Sequence, residues 1–168
     1  MKLHHILALG AAVFVLQTAC GKKESGTIPE KTAAGGKVEW LTDFDAAKAE
    51  ARAQNKTLLI DFTGSDWCPP CIALEKIVFS KPGFAEYAAK NLVLLEVDFP
   101  RRKEQKAAQK EANQKLAGQF GVEGFPTVIL LNPSGKIVGQ LAYYQDTTLQ
   151  SFLAEIDKAR SARGRDGS

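Results

Sequence analysis

Trp67-Cys68-Pro69-Pro70-Cys71 is the stretch of sequence that decides the fold. Its two cysteines lie three residues apart, directly after an apolar run typical of a buried strand and where a helix is predicted to begin. Two thiols at this spacing can close to a disulfide and reopen. The motif therefore indicates redox chemistry before any other residue is considered.

The composition of the chain is that of a globular protein. Its 168 residues are 45% hydrophobic and 24% charged, which allows one domain of ordinary size with extensions. The formal net charge of +3 is small, and no long basic block is interleaved with aromatic residues. We therefore predict no binding to nucleic acid.

Residues 1–19 have the layout of a secretory signal peptide. Lys2 supplies a positive charge, an apolar core runs from Ile6 to Leu16, and Cys20 follows a small residue. This ending resembles the lipobox of bacterial lipoproteins, in which the cysteine becomes the lipidated first residue, although Gln17 stands where that motif prefers Leu. An ordinary cleaved signal and an uncleaved anchor are the alternatives.

The rest of the chain divides into three parts. Residues 20–37 are mostly small and polar and are predicted to form a flexible tether, residues 38–160 a single domain, and residues 161–168 a mobile tail. With a lipid on Cys20, the tether would hold the domain at the membrane on the periplasmic side. The predicted localisation is therefore exported and membrane-anchored.

Removal of the signal would leave no histidine, because His4 and His5 are the only two in the chain. Ser-His-Asp catalysis, Cys-His catalysis and histidine-ligated metal sites are thereby excluded. With Cys20 lipidated, Cys68 and Cys71 are the remaining two of three cysteines, too few for a four-ligand zinc site. We predict no metal and no separate cofactor, with a redox-active disulfide as the reactive group.

Hydrophobic patterning predicts an alternation of helices and strands that ends in a hairpin and a helix. This order predicts an α/β fold with a central mixed sheet of about four to five strands and helices on both faces. A break is predicted at Lys81-Pro82-Gly83. The predicted helices cover 43–54 with Thr42 as N-cap, a stretch from Cys68, 84–90, 101–120 and 149–159, and the predicted strands cover 57–63, 92–98, 127–131 and 136–141.

A basic stretch follows the second predicted strand. Six lysines and arginines lie between Arg101 and Lys115, among residues that favour helices. The simpler interpretation is the solvated face of a helix. The alternative is a docking patch for an acidic partner.

Three features together resemble the thioredoxin-like superfamily: the acid in Asp61-Phe62 on the first strand, the motif at residues 67–71, and Gly124-Phe125-Pro126-Thr127 before the third strand. The resemblance covers roughly residues 38–159, and residues 62–68 look like a bacterial exported subgroup. It implies an exposed nucleophile at Cys68 and a resolving cysteine at Cys71. It also implies a cis proline beside the dithiol at Pro126 and a flanking aromatic side chain at Trp67, for which core packing is the alternative.

Asp61 departs from the family pattern. In typical thioredoxins a buried, proton-accepting acid lies one residue nearer to the first cysteine than Asp61 lies to Cys68. Either the extra residue between Thr63 and Asp66 loops out and leaves Asp61 in place, or the acid faces elsewhere. Asp66 itself is interpreted as a turn residue.

Pro69 and Pro70 affect the expected reactivity of Cys68. A cysteine at a helix N-terminus has a lowered pKa, because free backbone N–H groups stabilise its thiolate. Neither proline has an N–H, so only the amide of Cys71 and those beyond it remain as donors. We expect a dithiol less oxidising than the strong periplasmic oxidants, whose potential is about −120 mV.

The leading hypothesis is an exported thiol–disulfide oxidoreductase that exchanges the Cys68–Cys71 pair with cysteines of protein substrates, in the reducing direction. A cis bond at Pro126 would leave the Phe125 backbone free to pair with an extended substrate segment. By similarity, the substrates would be cytochrome c apoproteins or damaged periplasmic proteins, and a membrane thiol relay would supply electrons. A metal-binding module and a non-catalytic scaffold lipoprotein of the same fold are the alternatives.

Overall fold

A computed structural model describes residues 38–162 of the chain, with four strands and five α-helices in this region. The strands are β1 (Thr57–Thr63), β2 (Leu92–Asp98), β3 (Thr127–Leu131) and β4 (Ile137–Leu141). The helices are α1 (Phe44–Ala53), α2 (Pro69–Leu74), α3 (Pro82–Asn91), α4 (Ala107–Gln119) and α5 (Leu149–Ala162).

The four strands form one mixed sheet in the order β2-β1-β3-β4. β1 pairs in parallel with β2 and antiparallel with β3, which pairs antiparallel with β4. Because β1 and β2 are parallel neighbours, their last residues, Thr63 and Asp98, lie side by side at one end of the sheet. The Cys68–Cys71 segment follows β1 at this end.

β1 is the centre of the core, since all seven of its residues are buried. Leu58, Ile60 and Phe62 pack on one face of the sheet with residues of α1 and α4, whereas Leu59 packs on the other with residues of α2, α3 and α5. Helices therefore cover both faces, as the sequence predicted. Because side chains alternate along a strand, Asp61 lies on the face covered by α2.

A π-helical turn, Glu75–Phe79, continues α2. In this wider turn the amide of Ser80 donates to the carbonyl oxygen of Glu75 at 2.8 Å. The hydroxyl of Ser80 also donates to the Glu75 carboxylate at 2.8 Å. Val78 and Phe79 are both buried in the core, so the packing of this helix against the sheet is continuous through the turn.

Several element boundaries differ from the predicted ones. Asp43, not Thr42, caps α1, because its carboxylate accepts the amide of Ala46 at 2.8 Å. The predicted break is present at Ser80 and Lys81, but α3 begins at Pro82 and not at Phe84, since proline is tolerated in a first helical turn. The fourth strand begins one residue later than predicted, and the last helix extends to Ala162.

The largest error concerns the long polar helix predicted over residues 101–120. α4 begins only at Ala107. The backbone amides of residues 101–103 donate instead to the carboxylate of Asp66, at distances between 2.8 and 3.0 Å. A side chain from a different loop thus holds this segment outside the helix.

The predicted signal, tether and lipidation site at Cys20 lie outside the described residues, as does the predicted tail from residue 163 onward. Ser161 and Ala162 belong to α5. Within residues 38–162, every helix is too short or too polar to cross a bilayer.

Candidate active site

Cys68 and Cys71 form a disulfide bond, with the sulfurs 2.07 Å apart and the Cα atoms 5.3 Å apart. Cys68 is the N-cap of α2, and its Sγ accepts a hydrogen bond from the amide of Cys71 at 3.3 Å. Pro69 and Pro70 fill the first helical positions, where a missing N–H has no intrahelical partner to lose. The amide of Cys71 is therefore the first backbone donor to the Cys68 sulfur, as the sequence predicted.

The expectation of an exposed Cys68 is wrong for this disulfide form. Cys68 is 3% exposed and Cys71 is 4% exposed, so the two residues are shielded alike. The sulfur of Cys68 is bonded to Cys71 and faces the Cys71 amide, which turns it towards the helix and away from solvent. The side chains that reach solvent here are those of Pro69 and Ile72.

Trp67 is held from several directions beside Cys68. Its Nε1 donates to the carbonyl oxygen of Phe99 at 2.7 Å, and the guanidinium carbon of Arg101 lies 3.5 Å from the centroid of its ring. Gly64 approaches the indole so closely that a Cβ there would lie 2.6 Å from a ring atom. Trp67 is half-buried with its polar atom satisfied, so it forms a fixed aromatic surface next to the disulfide.

The Phe125–Pro126 peptide bond is cis, as predicted from the resemblance. The ring of Phe125 stacks on Phe99, with centroids 4.9 Å apart, and meets Trp67 edge to face, with centroids 6.1 Å apart. The segment before β3 is thereby joined to Trp67. The structure thus brings together the two sequence motifs that are about sixty residues apart.

Two carboxylates join the turn after β1 to the loop after β2. Asp98 accepts the amide of Ser65 at 2.9 Å and its hydroxyl at 2.6 Å. In the opposite direction, Asp66 accepts the amides of residues 101–103. We call these two sets of hydrogen bonds the carboxylate clamp. It fixes the turn that carries Trp67 and Cys68 to the end of the sheet.

Asp66 is the site residue whose role sequence reasoning missed. Its partners are backbone amides 35 to 37 positions further along the chain, and no local pattern reveals such contacts. The pKa of Asp66 is lowered, chiefly by the hydrogen bond from the Arg101 amide and further by those from Arg102 and Lys103. The clamp therefore favours the charged carboxylate.

Asp61 keeps an inward position despite its altered spacing. The amides of Trp67 and Cys68 both donate to the carbonyl oxygen of Gly64, at 3.1 and 2.9 Å, and this turn absorbs the extra residue. Of the two arrangements that the sequence left open, the structure therefore has the looped-out residue. Asp61 is 6% exposed, and its Oδ1 has no hydrogen-bond partner among the described residues.

Burial raises the pKa of Asp61 well above its usual value, and the nearby carboxylates of Glu96, Glu75 and Asp98 raise it further. Glu96 lies opposite Asp61 in the β1–β2 pairing. Its own pKa is also raised, first by burial and then by Asp98 and Glu75. Carboxyl groups that bind protons more tightly than usual therefore lie at the end of the sheet near the dithiol.

Comparison with known proteins places this fold and site in a family. The profile of the thioredoxin-like family matches residues 39–133, more than half of the chain. The chain belongs to the thioredoxin-like family.

Similar proteins carry names that describe thiol–disulfide chemistry. Disulfide bond reductase DsbH of Chlamydia pneumoniae is 29% identical over 127 residues, covering 74% of this chain and 76% of that protein. Thiol:disulfide interchange protein DsbD of Pseudomonas fluorescens is 27% identical over 181 aligned positions, covering 96% of this chain but only 30% of that protein. A solved structure of a DsbH oxidoreductase has a TM-score of 0.69 at 26% identity, covering 77% of this chain and 88% of that one.

The redox group of this site is the Cys68–Cys71 pair itself. Among residues 38–162, no three side chains of His, Cys, Asp or Glu are grouped so as to hold a metal ion. Family membership and the paired cysteines define the protein as a thiol–disulfide oxidoreductase that works through its own disulfide.

Replacement of Gly64 by alanine tests the packing of Trp67. The added Cβ would overlap the indole, so we expect Gly64→Ala to displace Trp67 and to lower the free energy of unfolding by about 1–3 kcal/mol. Urea unfolding measures the loss, and near-UV circular dichroism reports the displaced indole. Gly118→Ala in α4 is the control, since a Cβ there meets nothing within 4 Å and alanine favours helix. An unchanged midpoint for Gly64→Ala would contradict the packing described.

Replacement of Asp61 by asparagine tests its buried, proton-binding state. The raised pKa means that the folded protein holds this proton more tightly than the unfolded chain. The contribution of Asp61 to stability is therefore fully present below the ordinary carboxyl pKa of about 3.9 and is lost as pH rises through the raised pKa. We expect Asp61→Asn to be more stable than the wild type at pH 8, with an advantage that shrinks towards pH 4.

Urea unfolding of the disulfide form across this pH range measures the Asp61 effect. Asp146→Asn, at an exposed turn position, is the matched control and should show no such trend. If the difference in the free energy of unfolding between Asp61→Asn and the wild type stays constant with pH, Asp61 does not have the raised pKa described.

Proposed function

We propose that this protein is an exported lipoprotein that reduces disulfide bonds in other proteins, with Cys68 as nucleophile and Cys71 as resolving cysteine. The observation that carries the proposal is the Cys68–Cys71 disulfide at the start of α2, with the amide of Cys71 directed at the Cys68 sulfur. An amide at this place stabilises a thiolate on Cys68 when the pair is reduced.

The proposed reaction starts from the reduced pair. The Cys68 thiolate attacks one sulfur of a substrate disulfide, and the other substrate sulfur leaves as a thiolate. Cys71 then loses its proton and attacks the Cys68 sulfur, which releases the second substrate thiolate and closes the Cys68–Cys71 bond. Two electrons have passed to the substrate, and a membrane dithiol relay restores the reduced pair.

Asp61 is proposed as the acceptor of the Cys71 proton. Its carboxyl group is buried on the sheet face that α2 covers, and Cys71 belongs to α2. Its raised pKa suits a group that takes a proton from a thiol, and its Oδ1 has no competing partner within residues 38–162.

The small number of backbone donors near the Cys68 sulfur supports the proposed reducing direction. A strong oxidant is one whose reduced form is stabilised. Pro69 and Pro70 remove two backbone donors, and the Cys71 amide is the donor that reaches the Cys68 sulfur, so stabilisation of the reduced form is limited. The name of the Chlamydia pneumoniae relative, a disulfide bond reductase, points in the same direction.

Substrate binding is assigned to the surface around Trp67 and Phe125. The backbone N–H and C=O of Phe125 form no hydrogen bond with another described residue, so an extended substrate segment can pair with them. Ile72, which is 47% exposed, follows Cys71 and offers an apolar contact.

A cysteine trap tests the function. In Cys71→Ser the mixed disulfide with substrate cannot be resolved, so we expect protein adducts on Cys68 that dithiothreitol releases and mass spectrometry identifies. Cys68→Ser, which keeps Cys71, should form no such adducts, and both variants should lose catalysis of insulin reduction. A wild-type protein that does not accelerate insulin reduction by dithiothreitol would support a non-catalytic scaffold instead.

The lipid anchor has a separate test at Cys20. Lipidation would place the wild-type protein in the membrane fraction and add lipid mass to its N-terminal peptide. Cys20→Ser should move the protein to the soluble exported fraction while insulin reduction by the domain is kept. A wild-type protein that is soluble and carries a free thiol at residue 20 excludes the anchor.

A further inference from the structure

The loop between β2 and α4 carries a charge equal to the net charge of the whole chain. The whole chain has 22 basic and 19 acidic residues. We call residues 99–106 the basic loop. The rest of the chain has 18 basic and 18 acidic residues, whose charges cancel. The charged residues of the basic loop, all exposed, are four basic ones and one acid: Arg101, Arg102, Lys103, Lys106 and Glu104.

The basic loop is fixed beside the dithiol. The carboxylate clamp ties its backbone to Asp66, two residues before Cys68. Arg101 lies over the ring of Trp67, the neighbour of Cys68, and the Nζ of Lys103 donates to the Ser65 hydroxyl at 3.2 Å. The charges of Arg101 and Lys103 therefore lie beside the redox site instead of along a helix face.

The side chains of the basic loop form no close ion pair with nearby acids of the described region, although Lys103 interacts electrostatically with the carboxylates of Asp66 and Glu96. The ion pairs found within residues 38–162 join other residues, and none includes the loop. Both carboxylate oxygens of Asp66 are occupied by backbone amides. Because the loop backbone is already ordered, a partner that binds it has little loop entropy to overcome.

We propose that the basic loop docks acidic residues flanking the reactive disulfide of a protein substrate, and that such substrates are reduced faster for this reason. The inference rests on the reductase function proposed above and names its substrate class. Guanidinium groups recognise carboxylates well, and opposite charges raise the rate of association. A protein segment fits better than an anionic membrane, because a flat bilayer on this loop would also cover the dithiol beside it.

The test compares two cystine peptides of equal length and ring size. One carries Asp and Glu beside the cystine, and the other carries Asn and Gln. In each turnover the peptide disulfide is reduced, the Cys68–Cys71 bond forms, and dithiothreitol restores the dithiol. For the purified full chain we expect a higher kcat/KM with the acidic peptide at low salt, and a smaller advantage in about 0.5 M salt because exposed charges are screened.

Arg102→Glu is the decisive variant, because Arg102 contacts the clamp through its backbone amide. We expect its kcat/KM to fall about tenfold with the acidic peptide at low salt and to stay within about twofold of wild type with the neutral one. For Arg102→Gln we expect a kcat/KM with the acidic peptide that lies between those of the wild type and Arg102→Glu. Lys90→Glu is the control of equal charge change, since Lys90 is exposed and lies just before the opposite end of β2.

The outcomes separate this inference from the function on which it rests. If the wild type reduces neither peptide, the reductase function fails and the docking role fails with it. If it reduces both equally and Arg102→Glu changes neither rate, the docking role alone is wrong. Sedimentation with anionic vesicles that is lost in Arg102→Glu, without any discrimination between peptides, would overturn the docking role in favour of a membrane surface.

Discussion

The hydrogen bonds of two carboxylates, Asp66 and Asp98, fix the turn that carries Trp67 and Cys68 to the end of the sheet. β1 and β2 run in parallel, so their following loops leave the sheet at the same end. Asp98 holds the turn after β1, and Asp66 holds the loop after β2, each through hydrogen bonds to the opposite segment. Hydrogen bonds to a charged acceptor are stronger than neutral ones. A rigid turn at this point sets the direction of Trp67 and of the helix that starts at Cys68.

Local sequence patterns predict the positions of the strands but not the structure of the loops. The strands over 57–63, 92–98 and 127–131 coincide with their predicted ranges, because each is an apolar run with few structural alternatives. The residues from Arg101 to Lys106 favour a helix when only their own propensities are considered, and a helix is what the sequence predicts for them. The helix does not start at Arg101 because the amides of residues 101–103 bind Asp66, a residue distant in sequence. Tertiary contacts of this kind override propensity and leave no local signal.

At the dithiol, too, some features are predictable from the local sequence and others depend on tertiary contacts. Spacing placed Cys68 and Cys71 on one helical turn and Pro69 and Pro70 in its first positions, which the structure bears out. The burial of Cys68 could not be read from the motif, because it depends on where the closed disulfide turns the sulfur. The spacing of Asp61 allows two arrangements, and the choice between them depends on the turn after β1, which absorbs the additional residue.

The π-helical turn after α2 has a consequence for residue counting. A π turn contains one more residue than an α turn, so the chain gains a position without advancing a full step along the helix axis. Beyond Ser80, each residue is displaced by one place from the numbering that an uninterrupted α-helix starting at Cys68 would assign. Alignments between this protein and relatives with a regular helix therefore need a gap within residues 75–79 to keep equivalent core positions in register.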